Sequence, residues 1–280
     1  MTMLSINTNV GALRSSQASY SVNSSMETSM QRLSSGKRIN SAADDAAGIQ
    51  IANRLNAEIQ GLNMSVRNAA DAQAFLGTAE GALEEVHSLL LRMREIAVQA
   101  SNGTLQDSDR DSLQEEVTVL EAEIQRISDD TTYAGKSVFE NVSTGLTFQI
   151  GPRSGDSIAV SIDTINATHA FAGTPGGLKL DEDVTTAARA MGYIQNIDDA
   201  ISAIATMRGT YGATINRLDH TIANLQNIST NLQTAKGRIE DADFAAETSN
   251  LARTQVLQQA SMAMLAQANA SKQNILSLFQ

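Results

Sequence analysis

The sequence predicts a mainly α fold, a bundle of long helices with a small β-hairpin region. Only two prolines occur in 280 residues, so long stretches are free of the residue that breaks helices most strongly. Apolar residues recur at alternating intervals of three and four, the spacing of a helix with one buried face. Aromatic residues make up only 4% of the chain and Trp is absent, so aliphatic helix seams are expected rather than a thick globular core.

The longest predicted helix runs from 194 to 232. Its seam keeps strict three-four spacing, and ten of the twelve seam positions are apolar, which indicates a long packed helix. The two polar seam positions, Arg208 and Ser229, would either set the register or mark where the partner helix ends. The apolar residues assigned to this bundle seam include Ile201, Ile204, Ile215, Leu218, Ile222 and Leu225.

Three upstream runs with helical spacing predict the partner helices. They cover residues 55–69, 83–97 and 113–127, the last one after the loop SNGTLQDSD. Two or three long helices are therefore expected to pack against the 194–232 helix.

The middle of the chain has a different pattern. Residues 146–162 read LTFQIGPRSGDSIAVSI, two alternating or β-branched runs around a turn sequence, which predicts a β-hairpin. Residues 163–183 are rich in turn formers and are expected to form a short variable excursion. A helix should restart near Val184.

Both ends carry amphipathic, weakly charged stripes. Helices of this kind are marginal alone in water, so they are expected to pack against each other or against another copy. The N-terminal stripe consists of Val10, Leu13, Met26, Met30 and Leu33. The C-terminal stripe consists of Leu257, Ala260, Met264, Leu265 and Ala268, continued by Ile275, Leu278 and Phe279.

No reaction centre or metal site is predicted. The chain has no Cys, which removes disulfides and thiolate ligands. Its three histidines, His87, His169 and His220, are isolated from one another, and no H-E-x-x-H or G-x-S-x-G motif occurs. We therefore expect neither catalysis nor a cofactor. A net charge of −11 makes nucleic acids and anionic membranes poor partners.

Targeting signals are also absent from the sequence. No run reaches the 18 apolar residues of a membrane span, and the N-terminus lacks the basic and apolar regions of a signal peptide. The chain is expected to be cytosolic, or exported by a route that reads no cleaved signal.

Three acidic pairs have two interpretations. Glu84-Glu85, Glu115-Glu116 and Asp129-Asp130 could form a calcium or receptor surface. The solvated face of a helix is the favoured interpretation.

Residues 32–48 read RLSSGKRINSAADDAAG and resemble a phosphate loop only superficially. The full G-x-x-x-x-G-K-[ST] pattern is missing. Adjacent Asp44 and Asp45 would point about 100° apart on a helix, so they would not converge on a metal. Instead, Ser41 with Asp44 three residues on is close to a capping box. A helix is therefore predicted to start at Ser41, with both aspartates in its first turn.

These segments together resemble bacterial flagellin, the subunit of the flagellar filament. The similarity covers about residues 1–165 and 185–280 and is specific as a combination. The matching motifs include INTNVGAL, RLSSGKRINSAADDAAGIQIANRL, GLNMSVRNAADAQAFLGTAEGALEEV, LRMREIAVQASNGT, FQIGPRSGDSIAVSI and IEDADFAAETSNLARTQVLQQASMAMLAQAN.

The resemblance implies two discontinuous domains. Residues 1–40 and 240–280 would form a coiled coil of N- and C-terminal helices that lines the filament core. Residues 41–239 would form the helical bundle with its hairpin. The excursion at 163–183 is too short for a further domain, so a minimal flagellin without large outer domains is expected. The polymer contacts assigned on the terminal helices are Leu13, Met30, Leu33, Leu257, Met264, Leu265, Ile275 and Leu278.

By the same resemblance, residues 32–48 connect the two domains. Ser34, Ser35 and Gly36 would end the first helix, consistent with their low helix propensity. Lys37 and Arg38 would contact acidic residues of 238–247 or a neighbouring subunit. The junction residues assigned are Ser34, Gly36, Lys37, Arg38, Ser41 and Asp44.

The implied function is structural. The subunit would polymerise into an extracellular filament that transmits motor torque for swimming. Its partners would be other copies, an export chaperone and the export apparatus, the filament cap and hook-associated proteins. The alternative is a hook-associated junction protein, which shares the terminal helices. An enzyme inserted on such a scaffold is a third interpretation, which the short middle and missing H-E-x-x-H disfavour.

The resemblance also implies recognition by a Toll-like innate immune receptor. The family's contact motif is approximately Q-R-x-R-E-L, with a glutamate in the next helix. This chain reads LRMREI at residues 91–96, and Arg92, Ile96 and Glu116 are the aligned contact candidates.

Overall fold

The computed structural model describes residues 8–139, 146–162, 165 and 183–276, and it confirms the mainly α prediction. Two helices dominate, with 55 residues in α2 and 54 in α4. The described helices are α1 (Val10–Ser35), α2 (Ala46–Ala100), α3 (Asp107–Asp130), α4 (Ala187–Glu240) and α5 (Phe244–Leu276). The described strands are β1 (Thr132–Tyr133), β2 (Lys136–Ser137), β3 (Leu146–Gln149) and β4 (Ser157–Val160).

Residue contacts divide the chain into two compact units. The first contains Met1–Ile59 and Thr230–Gln280, and the second contains Gln60–Ser229. Both boundaries lie within continuous helices, one in α2 and one in α4. The division expected near residues 40 and 240 stays a prediction about the domains of an assembled subunit.

The second unit is a helical bundle whose α4 seam follows the predicted spacing. Every second seam residue is almost fully enclosed, as for Ile197, Ile204, Tyr211 and Leu218. The interleaved residues are half-buried and pack at the edge of the same core; they include Ile194, Ile201, Ile215 and Ile222. Facing residues of α2 complete the core, among them Leu83, Val86, Leu90, Met93 and Ala97.

The two polar seam positions are matched by polar residues on α2. Arg208 lies 2.7 Å from the carboxylate of Glu80, and the hydroxyl of Ser229 lies 3.2 Å from Oδ1 of Asn63. Because α2 continues alongside α4 at both places, the interpretation that its partner helix ends there is wrong. These pairs instead favour one antiparallel register.

The predicted hairpin is confirmed. β3 and β4 pair antiparallel with Phe148 opposite Ile158. Its loop lies against α2 at Gly61, where an added Cβ would come within 2.9 Å of Pro152. The ring of Phe148 lies 6.0 Å from that of Phe75, which also contacts Tyr133 edge-on at 5.7 Å. The absence of a side chain at residue 61 therefore allows the hairpin to cover α2.

A second, smaller hairpin was not predicted. β1 and β2 are joined by Ala134 and Gly135, whose φ angles are 51° and 80°. Positive φ at both central residues is the type I′ geometry favoured in two-residue hairpins. Strands of two residues are too short to show an alternating pattern in the sequence.

The start of α4 and its contact with α3 depend on polar side chains. The helix begins at Ala187, slightly later than predicted, because the Thr186 hydroxyl accepts the Arg189 N–H at 3.3 Å as an N-cap. Further along, the buried Tyr193 hydroxyl donates to Glu121 at 2.7 Å. Burial raises the pKa of the Glu121 carboxyl, and the hydrogen bond from Tyr193 opposes this effect.

Candidate assembly surface

The terminal helices α1 and α5 pack against each other in antiparallel orientation. Near the start of α1, the Asn9 side chain donates to the Ala268 carbonyl at 3.1 Å. At the other end, Arg32 lies 2.9 Å from Glu247 at the start of α5. The two ends of the chain thus form one helical pair within the first unit.

The seam between these helices consists largely of small and polar residues. On α1 the residues turned inward recur at three-four spacing: Ala12, Ser15, Ser19, Val22, Met26, Ser29 and Leu33. On α5 the corresponding residues are Glu247, Leu251, Thr254, Gln258, Ser261, Leu265 and Ala268. Small side chains allow close helix approach but remove little apolar surface from water.

Most of the predicted apolar stripe lies outside this seam. Leu13 is 61% exposed, Leu257 45% and Met264 63%. Of the assigned polymer contacts, Leu33 and Leu265 are half-buried in the pair, whereas Met30 is exposed. The side chains of Ile275 and Leu278 lie outside the described residues. Other large apolar residues exposed on the two helices are Val10, Tyr20, Phe244, Val256 and Met262.

Glu247 forms the main electrostatic contact of the seam. Its carboxylate accepts hydrogen bonds from Arg32 and from the Ser29 hydroxyl, each at 2.9 Å. The bond from Arg32 is the main cause that lowers the pKa of Glu247. Because Glu247 is buried, its charge depends on these donors.

The junction segment turns at Gly36. Its φ of 70° is the left-handed conformation that closes α1. The Gly36 carbonyl accepts the Ala242 N–H at 3.0 Å, and the Arg38 N–H donates to the Glu240 carbonyl at 2.6 Å. A short antiparallel bridge between Lys37 and Asp241 therefore joins the two connections of this unit.

Both basic junction residues contact the returning segment, Lys37 through an acidic side chain and Arg38 through a backbone carbonyl. Lys37 lies 3.2 Å from the Glu240 carboxylate. Arg38 donates to the Ile239 carbonyl at 2.8 Å and lies 3.8 Å from Asp45. Whether this segment acts as a joint between assembled domains stays a prediction.

The helix start predicted at Ser41 is wrong. Residues 41–44 form a turn, in which Asp44 accepts from the Asn40 N–H, the Ser41 N–H and the Ser41 hydroxyl. These donors lower the pKa of Asp44. The helix begins at Ala46, and Asp45 caps it by accepting the Gly48 N–H at 2.8 Å. Ser41 and Asp44 thus hydrogen-bond to each other within a turn that precedes the helix.

The receptor candidates separate into surface and core. Arg92 donates from two nitrogens to Glu116, at 2.7 and 3.0 Å, and both side chains are about half exposed. Ile96 is only 1% exposed, because it shares the buried face of α2 with Met93, Ala97 and Ala100. Ile96 cannot contact a receptor in this fold, so that assignment is wrong. Leu91, at 47% exposed, is the accessible apolar residue beside Arg92.

The described residues contain no cluster of three or more histidine, cysteine, aspartate or glutamate side chains arranged to hold a metal ion. No described helix is both long and apolar enough to cross a lipid bilayer.

Comparison with known proteins places both ends of the chain in one family. The family model of the bacterial flagellin N-terminal helical region matches residues 6–144. The model of the bacterial flagellin C-terminal helical region matches residues 194–279.

Two curated relatives cover almost the whole chain. A flagellin of Halalkalibacterium halodurans is 41% identical and aligns with 91% of this chain and 92% of its own length. A flagellin of Bacillus subtilis is 38% identical, with 98% and 99% covered. Among solved structures, a putative flagellar hook-associated protein from Vibrio parahaemolyticus has a TM-score of 0.59 at 19% identity, covering 71% of this chain and 100% of that one. At that identity the likeness concerns the fold alone.

Proposed function

The chain belongs to the bacterial flagellin family, and we propose that it is a structural subunit that polymerises into the helical filament of the bacterial flagellum. The observation that carries the proposal is the pairing of α1 with α5. Its seam is narrow and partly polar, whereas leucine, methionine, valine and tyrosine side chains face solvent.

A second copy is the occupant that fits these exposed faces. Exposed apolar side chains occur on both helices, and each additional square ångström of buried apolar surface contributes roughly 25 cal/mol. Neighbouring copies could thus supply the burial that the isolated pair lacks, offsetting the entropy of ordering the helices. Repetition of one head-to-tail contact produces an open helix when the rotation does not close into a ring.

The contacts at the junction support different roles for the two parts of the subunit. The Lys37–Asp241 bridge and the Arg38–Glu240 hydrogen bond hold together the two chain segments that connect the helices. We propose that residues 1–40 and 240–280 form the filament core and residues 41–239 the surrounding tube. A tied connection would pass torque between the two layers with little bending.

The family assignment also supports partners and a route. We propose export through the flagellar secretion apparatus with a dedicated chaperone, without a cleaved signal peptide, and assembly beneath a filament cap outside the cell. Hook-associated proteins would join the filament to the hook. The chain itself acting as a hook-associated protein is the weaker candidate, because two curated relatives that cover nearly its full length are flagellins.

An innate immune receptor is a further proposed partner. The exposed Arg92–Glu116 pair offers a guanidinium and a carboxylate on one face of the bundle, beside Leu91. A receptor that binds Arg92 must share or replace its contact with Glu116.

The test of filament assembly uses monomer extended from short filament seeds. Leu257→Asp places a charge on the exposed face of α5, so the monomer should fold normally but should not elongate the seeds. Val119→Asp is the matched control, because Val119 is an apolar residue exposed on α3, outside the α1–α5 pair. Electron microscopy should show filaments for the wild type and the control only. Normal elongation by Leu257→Asp would overturn the role of this face, and failure of the wild type would overturn the proposed function.

A further inference from the structure

The loop between α2 and α3 contains the one Asn-Gly pair of the chain, Asn102-Gly103. Both residues are exposed. A Cβ added at Gly103 would meet no atom within 4 Å, so the backbone is uncrowded there. Asparagine followed by glycine is the sequence in which a side-chain amide most readily reacts with the next backbone nitrogen, because glycine presents no Cβ to obstruct the approach.

The guanidinium of Arg110 donates a hydrogen bond to the peptide group that must react. Nη2 of Arg110 donates to the Asn102 carbonyl at 3.0 Å. Arg110 is itself buried and held in place, since its Nε donates to the Ala100 carbonyl at 3.0 Å. The Asn102 carbonyl and the Gly103 N–H belong to the same peptide bond. A charged donor on that oxygen stabilises the negative charge that develops when the nitrogen loses its proton.

A second donor acts on the group under attack. The Thr104 N–H donates to Oδ1 of Asn102 at 3.2 Å, which folds the side-chain amide back over the following peptide. The same N–H is placed to stabilise a developing oxyanion on Oδ1. Among the described residues, neither the Gly103 N–H nor Nδ2 of Asn102 donates a hydrogen bond, so nucleophile and leaving group are both unrestrained.

We propose that Asn102 is a site of self-modification through a cyclic succinimide. The Gly103 nitrogen attacks Cγ of Asn102; the N–Cγ bond forms, the Cγ–Nδ2 bond breaks, and Nδ2 leaves as ammonia with the proton given up by the Gly103 nitrogen. Water then opens the ring at either carbonyl, giving aspartate or isoaspartate at residue 102. Water is the only co-reactant.

The product changes the end of α2. Either product adds a negative charge at residue 102, whose carbonyl shares Arg110 with Asp107 in the first turn of α3. Isoaspartate also inserts Cβ into the main chain, which displaces the Asn102 carbonyl from Arg110. Arg110 would keep its bond to Ala100 but lose one of its two backbone acceptors.

The first experiment compares the folded chain with a free peptide. The full-length protein is incubated at mildly alkaline pH and digested with trypsin, which releases residues 95–110 with Asn102 as the one asparagine. Mass spectrometry and an isoaspartyl methyltransferase assay quantify conversion, and a synthetic 95–110 peptide is incubated in parallel. We expect severalfold faster conversion in the folded chain. Conversion no faster than in the peptide would overturn the proposal.

The second experiment removes the guanidinium. Arg110→Gln should reduce conversion in the folded chain severalfold and leave the rate in the corresponding synthetic peptide unchanged. Gly103→Ala should slow both forms, because it obstructs the chemistry itself. A folded Arg110→Gln protein that converts at the wild-type rate would contradict the proposal. If that variant does not fold, the wild-type comparison of chain and peptide still decides.

Discussion

Arg32 and Glu247 are 215 positions apart in sequence, yet their side chains meet at 2.9 Å where α1 ends and α5 begins. Among the described residues, this is the one ion pair that links the two helices. It lies next to the junction, in a seam otherwise built of small, polar and a few aliphatic side chains. One carboxylate therefore has a large influence on whether the terminal helices stay paired.

Acid should loosen the α1–α5 pair. The folded-state pKa of Glu247 lies below the usual 4.5, so its contribution is complete above that value and is lost as pH falls through the folded pKa. Amide hydrogen exchange in α1 and α5 should accelerate over this range. Glu247→Gln should lower protection at neutral pH and flatten the pH dependence. Glu27→Gln, at an exposed position on α1, should keep the wild-type profile; a similar change in both variants would contradict the role of Glu247.

Gly36 should tolerate a side chain poorly because of its backbone conformation. Its φ of 70° is left-handed, and an added Cβ meets nothing within 4 Å, so the cost would arise from the backbone alone. Gly36→Ala should destabilise the first unit by about 1–2 kcal/mol. Gly36→Asn should cost less, since asparagine tolerates this conformation. Chemical denaturation of both variants checks the order; equal costs would indicate that the conformation is not retained in solution.

Leu218→Asp should destabilise the bundle rather than the terminal pair. Leu218 is fully buried in the α4 seam, and an unpaired carboxylate there should cost roughly 3–5 kcal/mol. Ala223→Asp, on the exposed face of the same helix, is the control for helix propensity and charge. Thermal unfolding followed by circular dichroism should show a large decrease for Leu218→Asp only. Equal melting temperatures would mean that this position is not buried.

The α4 seam could be predicted because a long helix that is buried along one face by its own chain has apolar residues at regular spacing. Ile197, Ile204, Tyr211 and Leu218 repeat at heptad spacing and are all enclosed. The same kind of pattern predicted less about α5. Leu257 and Met264 mark an apolar face, but periodicity alone does not tell whether this chain or another copy covers it.

Polar positions were harder to predict for a different reason. Ser29, Thr254 and Gln258 line the α1–α5 seam, yet their residue types are typical of solvated surfaces. Ser41 with Asp44 carried the spacing of a helix cap, but the same donors and acceptors are satisfied within a turn. Ile96 was assigned to the surface from a motif, whereas it lies on the buried face of α2 with Met93 and Ala97.

Receptor recognition should depend on Arg92 and not on its neighbour two residues away. If the bundle face is recognised, Arg92→Ala should weaken the response of reporter cells to monomer, because it removes the guanidinium that Glu116 orients. Arg94→Ala is the matched control: Arg94 is also about half exposed and paired, at 2.6 Å with Asp198. It should retain the wild-type response. Equal responses from all three proteins, or equal losses from both variants, would contradict a contact centred on Arg92. Ile96→Ala should instead destabilise the core. The cavity it leaves should lower the free energy of unfolding by roughly 2–5 kcal/mol and so lower the melting temperature.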